Sequence, residues 1–192
     1  AWTGRMKHTA ADAYVALRQP KEAAEGLRER VEAATTPEAR AAIGALHLVL
    51  ADQDFDGVEE KDDLGRTVKR RNVQRALASY RHALQVGVAP DRLIHVRERI
   101  ALSLEELGQH AAAADVWTAL LVEVEKGERP VSSEPHERWL VGRGRALLHA
   151  GRSDDARKDL REALTRHPSG RLRMETLLLL GEERLRAASA KK

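Results

Sequence analysis

The sequence predicts an all-α protein built from helical hairpins. Ala, Leu, Arg and Glu, which favour helices, dominate the 192 residues, whereas aromatic residues make up only 3%. Apolar residues recur at spacings of three and four, which is the period of an amphipathic helix. Gly or Pro closes the segments, as Gly151 and Pro168 do in the stretch 144–168. That stretch therefore indicates a helix end, a tight turn and a complete second helix.

The helices follow from this pattern in order along the chain. Two are predicted at 4–18 and 21–34, on either side of Pro20. A third begins after the capping pair Thr36-Pro37 and continues to about residue 51. Wherever the periodicity returns, a further helix is predicted: at 72–87, at 90–107, between Gly108 and residue 126, and at 136–150, 153–166 and 170–186.

Domain organisation follows from where the periodicity stops. We predict one domain, 1–187, with an insertion loop at 52–71, a long loop at 126–135 and a polar tail at 188–192. No apolar run is long enough to span a bilayer, so we expect a soluble protein, either cytoplasmic or periplasmic. The absence of cysteine excludes disulfides and thiolate chemistry, and the net charge is only +3.

Corresponding motifs recur in the second helices of the predicted hairpins. They are Ala76-x3-Tyr80-x2-Ala83, Ala113-x3-Trp117 and Ala156-x3-Leu160-x2-Ala163-x4-Pro168. With these motifs the chain resembles the tetratricopeptide repeat family. One departure is Arg143, which stands where a core Leu is usual. The alternatives are another helical-hairpin solenoid or a nonrepetitive helical bundle.

The resemblance implies an architecture and a role. The expected fold is a right-handed superhelical stack of about four hairpins with a C-terminal capping helix. The expected function is a non-enzymatic scaffold or adaptor that binds a partner peptide or protein in a concave groove. First helices line that groove in the family, so the nominated groove residues are His95, Glu98, Arg99, Arg138, Arg145 and His149. Arginine suits carboxylates, so we expect a partner with an acidic surface; the alternative is ordinary solvated helix faces.

The insertion carries a second hypothesis, calcium binding. The pattern Asp52-x-Asp54-x-Asp56-Gly57-x5-Asp63 matches the EF-hand loop except at its last position. The ligands would be Asp52, Asp54, Asp56, the carbonyl of Val58, Glu60 and Asp63. Calcium would then order the hairpin for partner binding, and no other cofactor is expected. Alternatively, the basic residues between 66 and 75 fold back onto the acids, or the loop is solvated.

Other functions receive less support from the sequence. Motifs for metalloproteases, serine hydrolases and nucleotide-binding loops are missing, which disfavours an enzyme. The basic run 69–71 and the arginines of helix 136–150 offer charge for nucleic acid, but stacking aromatics are missing, so nucleic acid is an unlikely partner.

The last helix contains four consecutive leucines, 177–180, which are more than one helix face can hide. We expect a capping helix that is covered by the preceding repeat. The alternative is that one side meets a partner or a second copy, so the chain is either a monomer or a dimer through this helix.

Overall fold

The computed structural model describes residues 36–126 and 133–189. The predicted helices 4–18 and 21–34, most of the loop 126–135 and the end of the tail lie outside the described residues. The chain divides into two compact units, 1–103 and 104–192. The single domain 1–187 stays a prediction, and each unit is described by itself.

The described residues of the first unit, 36–103, form one helical hairpin with a small sheet in its connection, followed by most of a third helix. Its elements are α1 (Pro37–Asp56), β1 (Val58–Lys61), β2 (Thr67–Arg70), α2 (Val73–Val86), a 3-10 turn (Pro90–Arg92) and most of α3 (Leu93–Glu106). The predicted start of α1 is confirmed, because the Thr36 hydroxyl accepts a hydrogen bond from the Ala39 amide at 3.2 Å. Pro37 then occupies the first turn, where its missing amide costs nothing.

Helices α1 and α2 approach each other closely at a glycine. A Cβ atom at Gly44 would lie 1.8 Å from the carbonyl oxygen of Gly87, so only glycine fits there. Ile43, Leu77 and Tyr80 are buried in the contact between the two helices. Their apolar area supplies most of the stability of this hairpin.

The insertion differs from the predicted loop at 52–71. Helix α1 continues through Asp56, and the chain then forms an antiparallel β-hairpin with Val58 opposite Arg70. Asp62 closes the hairpin, because its carboxylate accepts hydrogen bonds from the amides of Leu64 at 3.0 Å and Arg66 at 2.8 Å. The predicted insertion at 52–71 therefore consists of the last residues of α1 and a β-hairpin, and it is not a solvated loop.

The second unit begins at residue 104, and its described residues, 104–126 and 133–189, form four further helices after the end of α3. They are α4 (His110–Glu125), α5 (Ser133–His149), α6 (Ser153–Arg166) and α7 (Arg173–Ser189). Its core is built around Trp117 and Trp139, each about 1% exposed. Gly142 allows α5 to contact the Trp117 ring, since a Cβ atom there would lie 2.8 Å from it.

Helices α5 and α6 form the hairpin that the stretch 144–168 predicts. Gly151, at φ 79°, lies in the turn between them. Arg143, which departs from the family pattern, donates two hydrogen bonds at 2.6 and 2.7 Å to the buried carboxylate of Asp159. The arginine is thus accommodated by an acid on the partner helix. The prediction of a helical-repeat fold is confirmed, with the β-hairpin as its addition.

Candidate interaction surfaces

Arginines and a histidine of α2 and α3 neutralise the acidic end of α1. Asp54 is buried and accepts two hydrogen bonds from the Arg75 guanidinium of α2, the Nε bond at 2.6 Å. Asp56 accepts two from Arg99 of α3, at 2.9 and 3.2 Å. The Arg99 guanidinium also lies 4.6 Å from the centroid of the Phe55 ring, a cation–π distance.

Asp52 has three partners: Tyr80, His95 and Arg99, whose Nε lies 3.7 Å from the Asp52 carboxylate. It accepts a hydrogen bond from the Tyr80 hydroxyl at 2.5 Å and lies 3.1 Å from Nε2 of His95. Burial alone would raise the pKa of Asp52, but the hydrogen bonds from His95 and Tyr80 hold it below its usual value. Burial and the bond to Asp52 raise the pKa of Tyr80. The carboxylate is therefore ionised and satisfied within the protein.

The nominated calcium ligands lie on a helix, on a strand and in a turn, and calcium binding itself stays a prediction. An EF-hand loop leaves the helix at its first ligand, but Asp52, Asp54 and Asp56 all lie on α1. Residues two apart on a helix point about 200° apart, so the three carboxylates do not converge. Glu60 lies on β1 in an ion pair with Arg70 at 3.1 Å.

The remaining nominated ligands, the Val58 carbonyl and Asp63, lie on β1 and in the turn of the β-hairpin. Within 36–126 and 133–189, no group of three or more His, Asp or Glu side chains is placed to hold a metal ion. The alternative in which basic residues fold back onto the acids is confirmed by the pairs Arg66–Asp62, Arg70–Glu60 and Arg75–Asp54.

The groove residues nominated on α3 are engaged within the first unit. His95 and Arg99 contact Asp52 and Asp56 as described, and Glu98 is half-buried. The two basic side chains thus satisfy carboxylates of α1. The sequence did not reveal this pairing, because the partners are 43 residues apart.

Arg145 has two carboxylate partners in the second unit. It donates hydrogen bonds to Glu105 at 2.6 Å and to Glu175 at 2.5 Å. Glu105 also accepts a hydrogen bond from the Trp117 indole at 2.7 Å. Burial would lower the pKa of Arg145, but the two glutamates raise it overall. The three ionised groups connect Glu105, α5 and α7 within the second unit, so Arg145 serves a structural role at this position.

Arg138 and His149 are the nominated groove residues that are exposed. They lie 11 residues apart on α5, about 20° from each other around the helix, and therefore share a face. The His149 ring stacks on His110 with 4.8 Å between centroids. Burial and the neighbouring His110 and Arg186 lower the pKa of His149, so the ring is neutral at pH 7.

Helix α7 has one buried side and one side with exposed apolar residues. Its buried residues are Thr176, Leu179 and Glu183. Its exposed apolar side chains are Met174 (68%), Leu177 (41%), Leu178 (65%) and Leu185 (71%). The expectation of a fully covered capping helix is wrong, although the run of leucines gave the signal.

No helix in the described part of the chain is long and apolar enough to cross a membrane.

One segment of the chain matches a known family of repeats. Residues 140–170, which comprise most of α5 and all of α6, match the sequence model of the tetratricopeptide repeat. The chain thus carries such a repeat, and the predicted resemblance is confirmed. No curated protein sequence matches the chain.

Two solved structures of the protein MamA share the fold. The structure titled MamA 41-end, from Desulfovibrio magneticus RS-1, has a TM-score of 0.53 at 15% identity over 98% of this chain and 87% of that chain. The MamA RS-1 ArsTM double mutant has a TM-score of 0.52 at 16% identity over 96% of this chain and 84% of that chain. At such low identity, the similarity concerns the fold alone.

Proposed function

We propose that this protein is a non-enzymatic scaffold that binds another protein through exposed helix surfaces. The tetratricopeptide repeat at 140–170 supports this role, because stacked helical hairpins of this kind serve as binding surfaces. The observation that carries the proposal is the apolar side of α7. Met174, Leu178 and Leu185 are each more than 60% exposed. Several large apolar side chains exposed on one side of a helix are typical of an interaction site.

The ion pairs of the second unit favour the apolar side of α7 as the binding surface over a groove lined by arginines. Arg143, Arg145 and Arg157 each hold a carboxylate of the same unit. A partner carboxylate would have to displace an existing ion pair to reach them. The exposed residues of α5, Arg138 and His149, remain candidates for additional contacts from the groove that the sequence predicts.

The proposal is tested by affinity capture from the source cells, with quantification of every captured protein. The test variant replaces Met174, Leu178 and Leu185 with Ser, which removes exposed apolar area and no core contact. The control variant makes similar changes elsewhere, Val49→Ser and Leu64→Ser, at exposed positions of the first unit. We expect the wild type and the control to capture the same partner and the test variant to lose it. Equal capture by all three proteins would contradict the proposal.

A further inference from the structure

We propose that the exposed side of α7 receives an acidic amphipathic helix of a partner protein, laid lengthwise along it. This inference rests on the proposed function and specifies the partner's chemistry. The surface is the α7 seam, which consists of Met174, Leu178, Gly181, Leu185 and Ala188, with Leu177 beside it.

The spacing of the seam selects a helix as its occupant. Its five positions follow one another at intervals of four, three, four and three residues. This is the heptad pattern by which one helix packs lengthwise on another. A Cβ atom at Gly181 would meet nothing within 4 Å, so the middle of the seam is open. Small residues at Gly181 and Ala188 allow a second backbone to come close.

Ion pairs of two glutamates outside the seam fix the rotation of α7. Glu183 is buried and accepts hydrogen bonds from Arg157 of α6 at 2.6 and 3.2 Å. Glu175 accepts one from Arg145 of α5 at 2.5 Å. Turning the leucines inward would break both pairs and bring charged groups to the surface in their place. The seam therefore stays outward while the unit is folded.

Charge at the borders of the seam selects an acidic partner. Arg173, Arg184 and Arg186 are exposed beside it. Of the three glutamates of α7, Glu175 and Glu183 are held by Arg145 and Arg157, and the exposed Glu182 lies 4.0 Å from Arg186. The border is thus mainly cationic. A second copy of the chain would set arginines against arginines, whereas glutamates flanking an apolar stripe would complement them.

The experiment uses two synthetic amphipathic helices that share one leucine heptad stripe. One has Glu at every flanking position, and its twin has Lys. Fluorescence anisotropy measures the binding of each peptide to the full chain at about 0.15 M salt, where distant charges are screened. We expect the acidic peptide to bind and its basic twin to bind at least about tenfold more weakly.

Three variants locate the site. Leu178→Ser with Leu185→Ser should weaken binding of the acidic peptide at least about tenfold, since it removes two apolar anchors. Arg173→Glu with Arg184→Glu should reverse the preference towards the basic twin. Leu64→Ser, on the β-hairpin of the first unit, should change nothing. Circular dichroism checks that each variant is folded.

The outcomes separate this inference from the proposed function. Equal binding of the two peptides, no binding, or binding that survives the leucine variant would overturn the inference. Sedimentation of the wild type as a dimer that the leucine variant abolishes would overturn it in favour of a second copy. If the seam variants still lose the cellular partner while the acidic peptide does not bind, the scaffold function stands and the acidic helix does not.

Discussion

The hairpins α1–α2 and α5–α6 each contain an arginine–aspartate ion pair between their helices, and the arginine is more exposed in α1–α2 than in α5–α6. In each, an arginine on one helix donates two hydrogen bonds to an aspartate on the other: Arg75 to Asp54, and Arg143 to Asp159. The Arg75 side chain is 47% exposed, whereas that of Arg143 is 20% exposed. Hairpin pairing is thus specified by a charged contact as well as by apolar packing.

The connections of the two hairpins differ much more than their helices do. A short turn at Gly151 joins α5 to α6, while a β-hairpin stands between α1 and α2. The insertion is accommodated because Val58 and Arg70 are opposite each other at its base, so the chain leaves and returns at nearly the same place. Packing between the helices, and not the connection, holds each hairpin together.

We expect the largest loss of stability when the buried ion pair of the α5–α6 hairpin is broken. Asp159→Ala leaves Arg143 without its partner and should lower the free energy of unfolding by about 3 kcal/mol. Asp54→Ala in the α1–α2 hairpin should cost about half as much, because Arg75 regains water. Urea unfolding followed by circular dichroism measures both. Equal losses would show that burial does not distinguish the two pairs.

The second prediction compares the glycines at the two helix contacts. Gly44→Ala places a methyl group 1.8 Å from the backbone oxygen of Gly87, which cannot move aside. The loss should be about 2 kcal/mol, after allowing for the higher helix propensity of Ala. Gly144→Ala meets the side chain of Leu160 at 2.8 Å, while the nearest backbone atom, the Ala156 oxygen, is at an ordinary contact distance of 3.5 Å, so it should cost less. If Gly144→Ala were the more damaging in thermal unfolding, the backbone clash would not be the cause.

The third prediction concerns pH and the first unit. His47 is buried against His82, and burial followed by repulsion from His82 lowers its pKa from 6.5 to about 4. Protonation therefore favours the unfolded chain. The stability from neutral His47 is complete above pH 6.5 and is lost as the pH falls towards 4.

Urea unfolding between pH 7 and 4 tests this with two variants. His47→Leu should reduce the loss of stability between pH 7 and 4. The substitution also removes a ring nitrogen that bonds to no residue in the described part of the chain. His149→Gln, at the exposed ring of the second unit, should leave most of the decline in place. A wild-type decline that His47→Leu does not alter would assign the effect to other groups.

The smallest expected effect comes from removing the insertion. Replacing Val58–Arg70 with a three-residue Gly-Asn-Gly bridge should change the free energy of unfolding by less than about 1 kcal/mol, since a shorter loop costs less to close. The pair Arg75–Asp54 lies outside the deleted segment. A loss of several kcal/mol would mean that the β-hairpin holds α1 and α2 together.

The α5–α6 hairpin could be predicted from the sequence, whereas the end of α1 could not. The hairpin α5–α6 follows from local signals, and the predicted helix at 153–166 has the observed bounds. The end of α1 could not be predicted in the same way. Acidic residues at a helix C-terminus are unfavourable by themselves, and the groups that neutralise Asp54 and Asp56 come from α2 and α3. A local pattern does not contain that information.

The contacts of the candidate interaction surfaces could not be predicted from local sequence patterns either. The nominated Arg99 and Arg145 are basic residues on first helices, as predicted, but their carboxylate partners are distant in sequence. The β-hairpin left a weak signal, a turn containing Gly65 between two short segments with valine. On α7, the burial of Glu183 depends on Arg157, so the outward side could be identified only from packing.

Hydrogen exchange, measured on the chain with and without its captured partner, shows where that partner binds. We expect slowed amide exchange along α7, residues 173–189, where the apolar seam is open in the free protein. No matching change is expected at the β-hairpin, residues 58–70. If exchange slowed only in the first unit and stayed the same along α7, then α7 would not be the binding surface.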